Sequence, residues 1–304
     1  MPYLYLTLAA VFWGGNYVVG HFLVGVMDPV LLSLARWIFT AILLLTLYHR
    51  QVRGQLIAIR RSFHIVFFLA LFGQVLFPLT LYVGLQYTSS LNAAIYLSTT
   101  PAFVLLINKV IFNESISTKN ISGVIISSLG VVWLVIQGDF NHLDNLKHLN
   151  RGDLWTIGSA ASWAIYCAFL RIKPREVGGS AFVAVSATIG AVILLPISIT
   201  SVARTGLPVL TEFTHSGLVI GLLYLIIFPS WLSYILWNKG IQAIGATRGE
   251  VFSHFIPLSG GLFSVLFLNV PLHLFHLVSA LLIICGIVLC SGKSAKRMVN
   301  VTTS

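Results

Sequence analysis

Apolar runs of about 18 to 24 residues recur along the whole chain, each long enough to cross the roughly 30 Å hydrocarbon core of a bilayer as a helix. Inside hydrocarbon every backbone N–H and C=O must be satisfied within the span, so runs of this length predict α-helices. Ten are placed, at roughly 3–24, 29–49, 63–86, 90–113, 120–137, 152–170, 180–203, 216–239, 246–269 and 272–292. Only 9% of the residues are charged and the mean hydropathy is +0.94, whereas a soluble domain carries about 25% charged residues. The chain is therefore read as an all-α integral membrane protein. The first run passes Phe22 without a small-residue cleavage site and has no basic side chain before it, so it reads as a spanning helix and not a signal peptide.

The connections are mostly short and carry turn chemistry, as at Asp28-Pro29, Gly178-Gly179 and Asn269-Val270-Pro271. Only 50–62 and 138–151 are longer, which leaves no room for a soluble domain. The net charge of +10 would point to nucleic acid in a soluble protein. Here the basic residues sit between apolar runs and report topology instead. With the N-terminus inside, the inner connections and tail hold Arg50, Arg53, Arg60, Arg61, Lys109, Lys119, Arg171, Lys173, Arg175, Lys239, Arg248, Lys293, Lys296 and Arg297, and the outer ones only Lys147, Arg151 and Arg204. That bias predicts both termini in the cytoplasm.

An internal repeat is visible. Residues 69–134 realign on the second half at an offset of 156, so that Gly84 meets Gly240, Gln86 meets Gln242, Pro101 meets Pro257, Asn113 meets Asn269 and Gly130 meets Gly286. Earlier, Trp13 meets Trp163 at an offset of 150. Five helices per half is an odd number, so the halves enter the membrane with opposite polarity, an arrangement that underlies alternating access in secondary transporters. The expected organisation is a first five-helix repeat over 1–137, an external loop over 138–151, a second repeat over 152–292 and a basic cytoplasmic tail over 293–304.

Chemistry-bearing motifs are few. There is no HExxH, GxSxG or GxGxxG. Cys167, Cys285 and Cys290 lie inside apolar runs without a CxxC pair, so neither a disulfide framework nor a metal site is indicated. Sequons at Asn113, Asn120 and Asn300 fall on expected cytoplasmic segments, where glycosylation does not occur. No cofactor and no enzyme activity are expected.

Trp13, Asn16, Tyr82, Tyr96, Trp163, Tyr166, Trp231 and Tyr234 are spread over several helices as the wall of a small-molecule cavity would be. Each, taken singly, reads rather as helix packing or an interfacial belt. Arg36 lies about seven residues into its helix; it either snorkels to the interface or meets a partner or an anionic substrate group inside the bundle. Thr247-Arg248-Gly249-Glu250 has the spacing of a capping box, which would occupy the Glu250 carboxylate. Alternatively Glu250, with His254 one α-helical turn on and Pro257 beyond, faces into the bundle as a coupling pair, since an imidazole titrates near pH 6.5 in water. Prolines 78, 101, 229 and 257 fall mid-helix and permit the bends a gate requires.

Together these residues resemble the EamA-type members of the drug/metabolite transporter superfamily over nearly the whole chain. The resemblance rests on Trp13-Gly14-Gly15-Asn16, Arg36 followed by Ala41, Tyr82-x-Gly84-Leu85-x-Tyr87-Thr88, Pro101 and Glu114 in the first half. In the second it rests on Gly152-Asp153-Leu154, Ser162-Trp163-Ala164-x-Tyr166, Ala243-x-Gly245-Ala246 and Pro257. Family members often carry Gly-Glu-Pro-Leu after the ninth helix, where this chain has Asn269-Val270-Pro271-Leu272; the missing glutamate leaves Glu114 as a structural residue at its helix end. The resemblance implies ten helices in two inverted repeats, a bacterial inner-membrane setting, and transport, often export, of amino acids, other metabolites or drugs. Expected partners are a small-molecule substrate and membrane lipid, with protons as a candidate coupling ion and a monomer or homodimer as the unit; nucleic acid is not expected. A membrane-embedded enzyme or a non-transporting receptor or scaffold on the same fold is the alternative.

Overall fold

The computed structural model describes residues 1–88, 93, 96–141, 150–205, 216–267 and 271–291. Lys147, the Asn269-Val270 turn and the tail 293–304 lie outside them. No strand occurs among the described residues. Among the described residues, seven helices are long and apolar enough to cross a membrane: α1 (Pro2–Val24), α2 (Pro29–Gly54), α4 (Phe63–Leu85), α6 (Thr118–Val135), α8 (Gly179–Ala203), α9 (Gly217–Ile244) and α11 (Leu274–Ser291). The short α3 (Leu56–Arg61) connects α2 to α4. Three further helices fall short of that criterion, each for a physical reason. The described part of α5 (Thr100–Val110) is brief, α7 (Arg151–Phe169) carries Arg151, Asp153 and several hydroxyls, and α10 (246–267) is interrupted by a 3₁₀ turn over Glu250–His254.

Local sequence explains the ends. The Asp28 carboxylate accepts from the backbone N–H groups of Val30 and Leu31, both at 3.0 Å, with Pro29 in the first turn of α2. At α7 a reciprocal box forms: the Asn150 side chain accepts from the Asp153 N–H at 3.0 Å, and the Asp153 carboxylate accepts from the Asn150 N–H at 2.9 Å. The second carboxylate oxygen of Asp153 accepts from the Thr88 hydroxyl at 2.7 Å, which ties the end of α4 to the start of α7. In the connection before α8, Lys173 donates to the carbonyls of Pro174 and Val177, and its burial pushes the ammonium pKa below the usual lysine range.

Helix α1 packs on α9 and α10, α4 and α5 pack on α7, α2 lies along α8, and α6 along α11. The outward faces stay apolar, with Phe39, Ile42, Leu129, Val192, Ile220 and Val288 exposed. Burying side chains inward while leaving such residues outward fits a chain whose solvent is lipid. Small residues mark close approaches between helices. A Cβ on Gly84 would stand 2.7 Å from Thr156, and one on Gly240 2.5 Å from Leu6. One on Gly130 would stand 2.9 Å from Ile283, and one on Gly286 2.6 Å from Ser127. Among the described residues, α4 and α9 each contain a π-helical turn, at Leu71–Leu76 and Ile226–Leu232.

Candidate functional site

A cavity of about 400 Å³ opens between α1, α6, α7, α10 and the start of α11. Trp13, Phe77, Trp163 and Ile256 form apolar wall, Ser98, Thr100 and Ser253 add hydroxyls, and Gln137, His273 and His276 stand where α6 ends and α11 begins. The cavity therefore belongs to the face opposite the N-terminus. Trp13 and Trp163 meet edge to face with ring centroids 5.0 Å apart, and Tyr234 and Trp237 pack edge-on against Trp13.

Behind Trp13 lies Arg36, 1% exposed. Its Nε donates to the Ser230 hydroxyl at 2.5 Å; one terminal nitrogen donates to Tyr82 Oη at 2.9 Å and Asn16 Oδ1 at 3.4 Å, and the other to the Pro229 carbonyl at 3.4 Å. That carbonyl also accepts from Trp13 Nε1 at 2.9 Å. The π-helical turn of α9 presents it inward, because a widened turn frees carbonyls that an α-helix would use. The guanidinium also sits 5.1 Å from the Trp37 ring centroid. Of the two positions open to Arg36, interface or bundle interior, it takes the second, and every partner named is neutral.

Glu250 lies beneath the cavity floor, 1% exposed, within electrostatic reach of Cys167, Trp163 and Ser253. Neither carboxylate oxygen makes a well-formed hydrogen bond, and the Ser253 hydroxyl and His254 Nδ1 likewise have none. The capping reading of Glu250 is corrected here. Gly245, at φ +82°, occupies the cap position with no side-chain cap bond, and the Thr247 hydroxyl turns to Glu114 instead. The expected shared face of Glu250 and His254 is corrected too. A 3₁₀ helix turns about 120° per residue, so positions i and i+4 diverge while i and i+3 eclipse. Glu250 accordingly sits by Ser253, and His254 turns away so that Nε2 meets the Ser98 carbonyl at 2.9 Å.

The remaining expected site residues divide. Tyr166 stacks on Trp163 at 5.0 Å and donates to Asn238 at 2.8 Å; Tyr234 donates to the Gly73 carbonyl. Trp13, Asn16, Arg36, Tyr82, Trp163, Tyr166 and Tyr234 thus form one continuous cluster. Tyr96 is half-buried beside Asp153, and Trp231 donates to Tyr48 at 3.2 Å between α9 and α2, so neither joins it. Sequence reasoning missed Ser230, Ser253, Trp237 and the His273/His276 pair. Only the histidines had a signal, their i, i+3 spacing after Pro271.

The family model of the EamA-like transporter family matches residues 1–136 and 150–292. The chain belongs to the EamA-like transporter family. It is a multi-pass membrane transporter, and its relatives are likewise named transporters. The "Uncharacterized transporter YyaM" of Bacillus subtilis is 26% identical over 295 residues, which cover 95% of this chain and 93% of that one. The "Uncharacterized inner membrane transporter YicL" of Salmonella typhimurium is 24% identical over 97% of this chain and 96% of its own length. A solved crystal structure, 17% identical and covering 95% of this chain and 96% of that one, superposes with a TM-score of 0.73, a likeness of fold alone. As an EamA-like transporter the chain has a lipid environment and a small-molecule substrate.

Proposed function

We propose that this EamA-like transporter is a secondary transporter, working as an exporter of small amphipathic organic solutes from bacterial cells by alternating access, with ten spanning helices in two inverted repeats and both termini cytoplasmic. The observation that carries the reading is the Trp13–Trp163 contact: these two residues are mates under the 150-residue offset, they come from opposite halves, and they touch at the wall of the cavity. Mates that touch lie on the axis relating the halves, where transporters of this class hold their solute.

Other contacts support the repeat. The Gly84–Thr156 and Gly240–Leu6 approaches are mates of one another, as are Gly130–Ile283 and Gly286–Ser127. The π-helical turns of α4 and α9 also fall at the 156 offset. The helix pairings map onto themselves, α1 with α9 and α10 in one sense, α7 with α4 and α5 in the other. The halves matched by the family model divide at the same place. Counting α5, α7 and α10 as spans gives five per half.

The cavity favours a solute with an aromatic or aliphatic body. Arg36 and Glu250, of opposite charge and both close behind the aromatic wall, favour a zwitterion such as an amino acid, and Glu250 with His254 is the candidate coupling site for protons. Liposomes bearing the purified protein test the reading. Solutes that raise its melting temperature, screened among amino acids, nucleosides, sugars and cationic drugs, should enter these vesicles and not protein-free ones. Trp163→Ala should cut that flux about ten-fold or more, the equivalent of ~1.4 kcal/mol of lost wall contact. Binding without flux for every solute would overturn transport. Orientation is checked on intact cells: an impermeant thiol reagent should reach Val135→Cys at the cavity and not Leu56→Cys.

A further inference from the structure

At the face bearing the N-terminus, opposite the cavity, four polar side chains close a ring across the two halves. Arg171 Nη2 donates to Glu114 Oε2 at 2.7 Å and to Asn108 Oδ1 at 2.9 Å. Asn108 Nδ2 donates to Thr247 Oγ1 at 2.8 Å, and the Thr247 hydroxyl donates to Glu114 Oε1 at 2.5 Å. Both carboxylate oxygens are used, and the Arg171 guanidinium also covers the Phe112 ring at 4.3 Å. Glu114 reaches this position because Asn113, at φ +49°, reverses the chain after α5, a conformation asparagine adopts more readily than most residues. Asn108 and Glu114 belong to the first half, Arg171 and Thr247 to the second, so the ring fastens the end of α5 to the end of α7 and the start of α10.

We propose that this ring is the closed gate on the N-terminal face, broken once in each transport cycle, and that its repeat mates supply no equivalent ion pair on the cavity face. The inference rests on the transport reading. Under the repeat offsets the mates of Glu114, Arg171, Asn108 and Thr247 are Val270, His21, Ser264 and Leu91. The carboxylate and guanidinium have no counterpart there. The ion pair therefore biases the resting protein toward the state seen here, open on one side and fastened on the other. Its strength suits a gate. Both charged side chains are about a third exposed, and water competes with such a pair, which shifts a two-state equilibrium only a few-fold and so does not trap the cycle.

The test uses the purified full chain in detergent, with Cys285→Ser to remove the exposed native thiol. Two introduced cysteines are labelled with a small charged thiol reagent, each read against the Cys285→Ser parent that retains the buried Cys167 and Cys290: Val135→Cys at the cavity, and Val251→Cys, buried one turn inside Thr247. Glu114→Gln and Arg171→Gln should each raise the labelling rate at 251 by about two- to five-fold and lower it at 135. The exchange Glu114→Arg with Arg171→Glu should bring both rates back toward the parent, and Thr247→Val should move them in the same directions by less. Unchanged rates overturn the gate. So does a rise at both reporters, the signature of a ring that only holds the fold together. Because no solute enters the measurement, its outcome is separate from that of the liposome flux.

Discussion

Arg36 and Glu250 are both buried to 1% exposure within the same bundle, yet their surroundings differ completely. The cation donates to four neutral groups and lies close to Trp37. The carboxylate has no well-formed bond to either oxygen. A buried charge is costly unless its hydrogen-bonding capacity is met, so the protein has built a permanent seat for the first and none for the second. A guanidinium cannot discard its proton, and four fixed acceptors are the way to keep it in place. A carboxylate with donors nearby but no well-formed bond gains from a proton or cation that reaches it. One charge is held constant and the other is left free to change partners.

The comparison breaks most sharply at Arg36. Its acceptors have other donors: Asn16 also accepts from Tyr82 at 3.1 Å, Pro229 from Trp13 at 2.9 Å, and the Ser230 hydroxyl itself donates to Leu225 at 2.6 Å. Arg36→Met, which removes the charge and keeps the volume, should therefore cost little stability. Arg36→Lys should be the damaging change, because an ammonium on a shorter fork cannot span these acceptors yet remains buried. A loss of about 3–5 kcal/mol is expected, read as a melting temperature well below that of Arg36→Met in the same detergent. Equal melting of the two variants would mean that the seat does not solvate the charge.

Glu250→Gln tests the other side. The amide has the same shape and no charge, so it should melt at or above the parent temperature, the opposite of Arg36→Lys. Flux driven by a proton gradient should fall about ten-fold, on the scale of one lost charge-assisted interaction, while exchange of solute at equal pH persists. A variant that melts lower and still responds fully to the gradient would make Glu250 a structural carboxylate.

How much of this was readable in the chain differs between the two halves of the site. Apolar runs and the 156-residue offset are long-range patterns, and the close approaches of Gly84, Gly240, Gly130 and Gly286 fall on positions the offset had paired. Arg36 was legible as a charge needing a partner, although its seat was not, since Ser230 and the Pro229 carbonyl converge only through a π-helical turn that no local pattern announces. At Glu250 the local pattern misled. Thr247 to Glu250 has capping spacing, but the box is built at Asn150 and Asp153, while Thr247 is drawn to Glu114 in the segment that follows α5. The i, i+4 pairing with His254 presumed an α-helix where the chain winds as 3₁₀. Tyr96 and Trp231 were grouped with the cavity by residue type, and their actual partners, Asp153 and Tyr48, come from tertiary contacts alone.

His254 is where the smallest effect is expected. Its Nε2 meets the Ser98 carbonyl, so that nitrogen carries a proton, and Nδ1 has no partner. If the imidazole shared one face with Glu250, the two would form a tightly coupled pair and removing either would abolish the gradient response. The 3₁₀ turn separates them. His254 is left to act on the neighbouring carboxylate through the dipole of its ring at a distance, not through a shared proton. Gln in its place keeps a donor for the Ser98 carbonyl and takes up no proton in the physiological range, so His254→Gln should fold normally and retain solute binding. Its gradient-driven flux should fall about two- to three-fold, the scale of a long-range electrostatic contribution of ~0.5 kcal/mol, against the ten-fold fall at Glu250. The measurement is the ratio of fluxes with and without a proton gradient for the parent, His254→Gln and Glu250→Gln in the same vesicles. A His254→Gln ratio as low as that of Glu250→Gln would restore the coupled pair, and one identical to the parent would make the histidine a packing residue bonded to α5's leading segment.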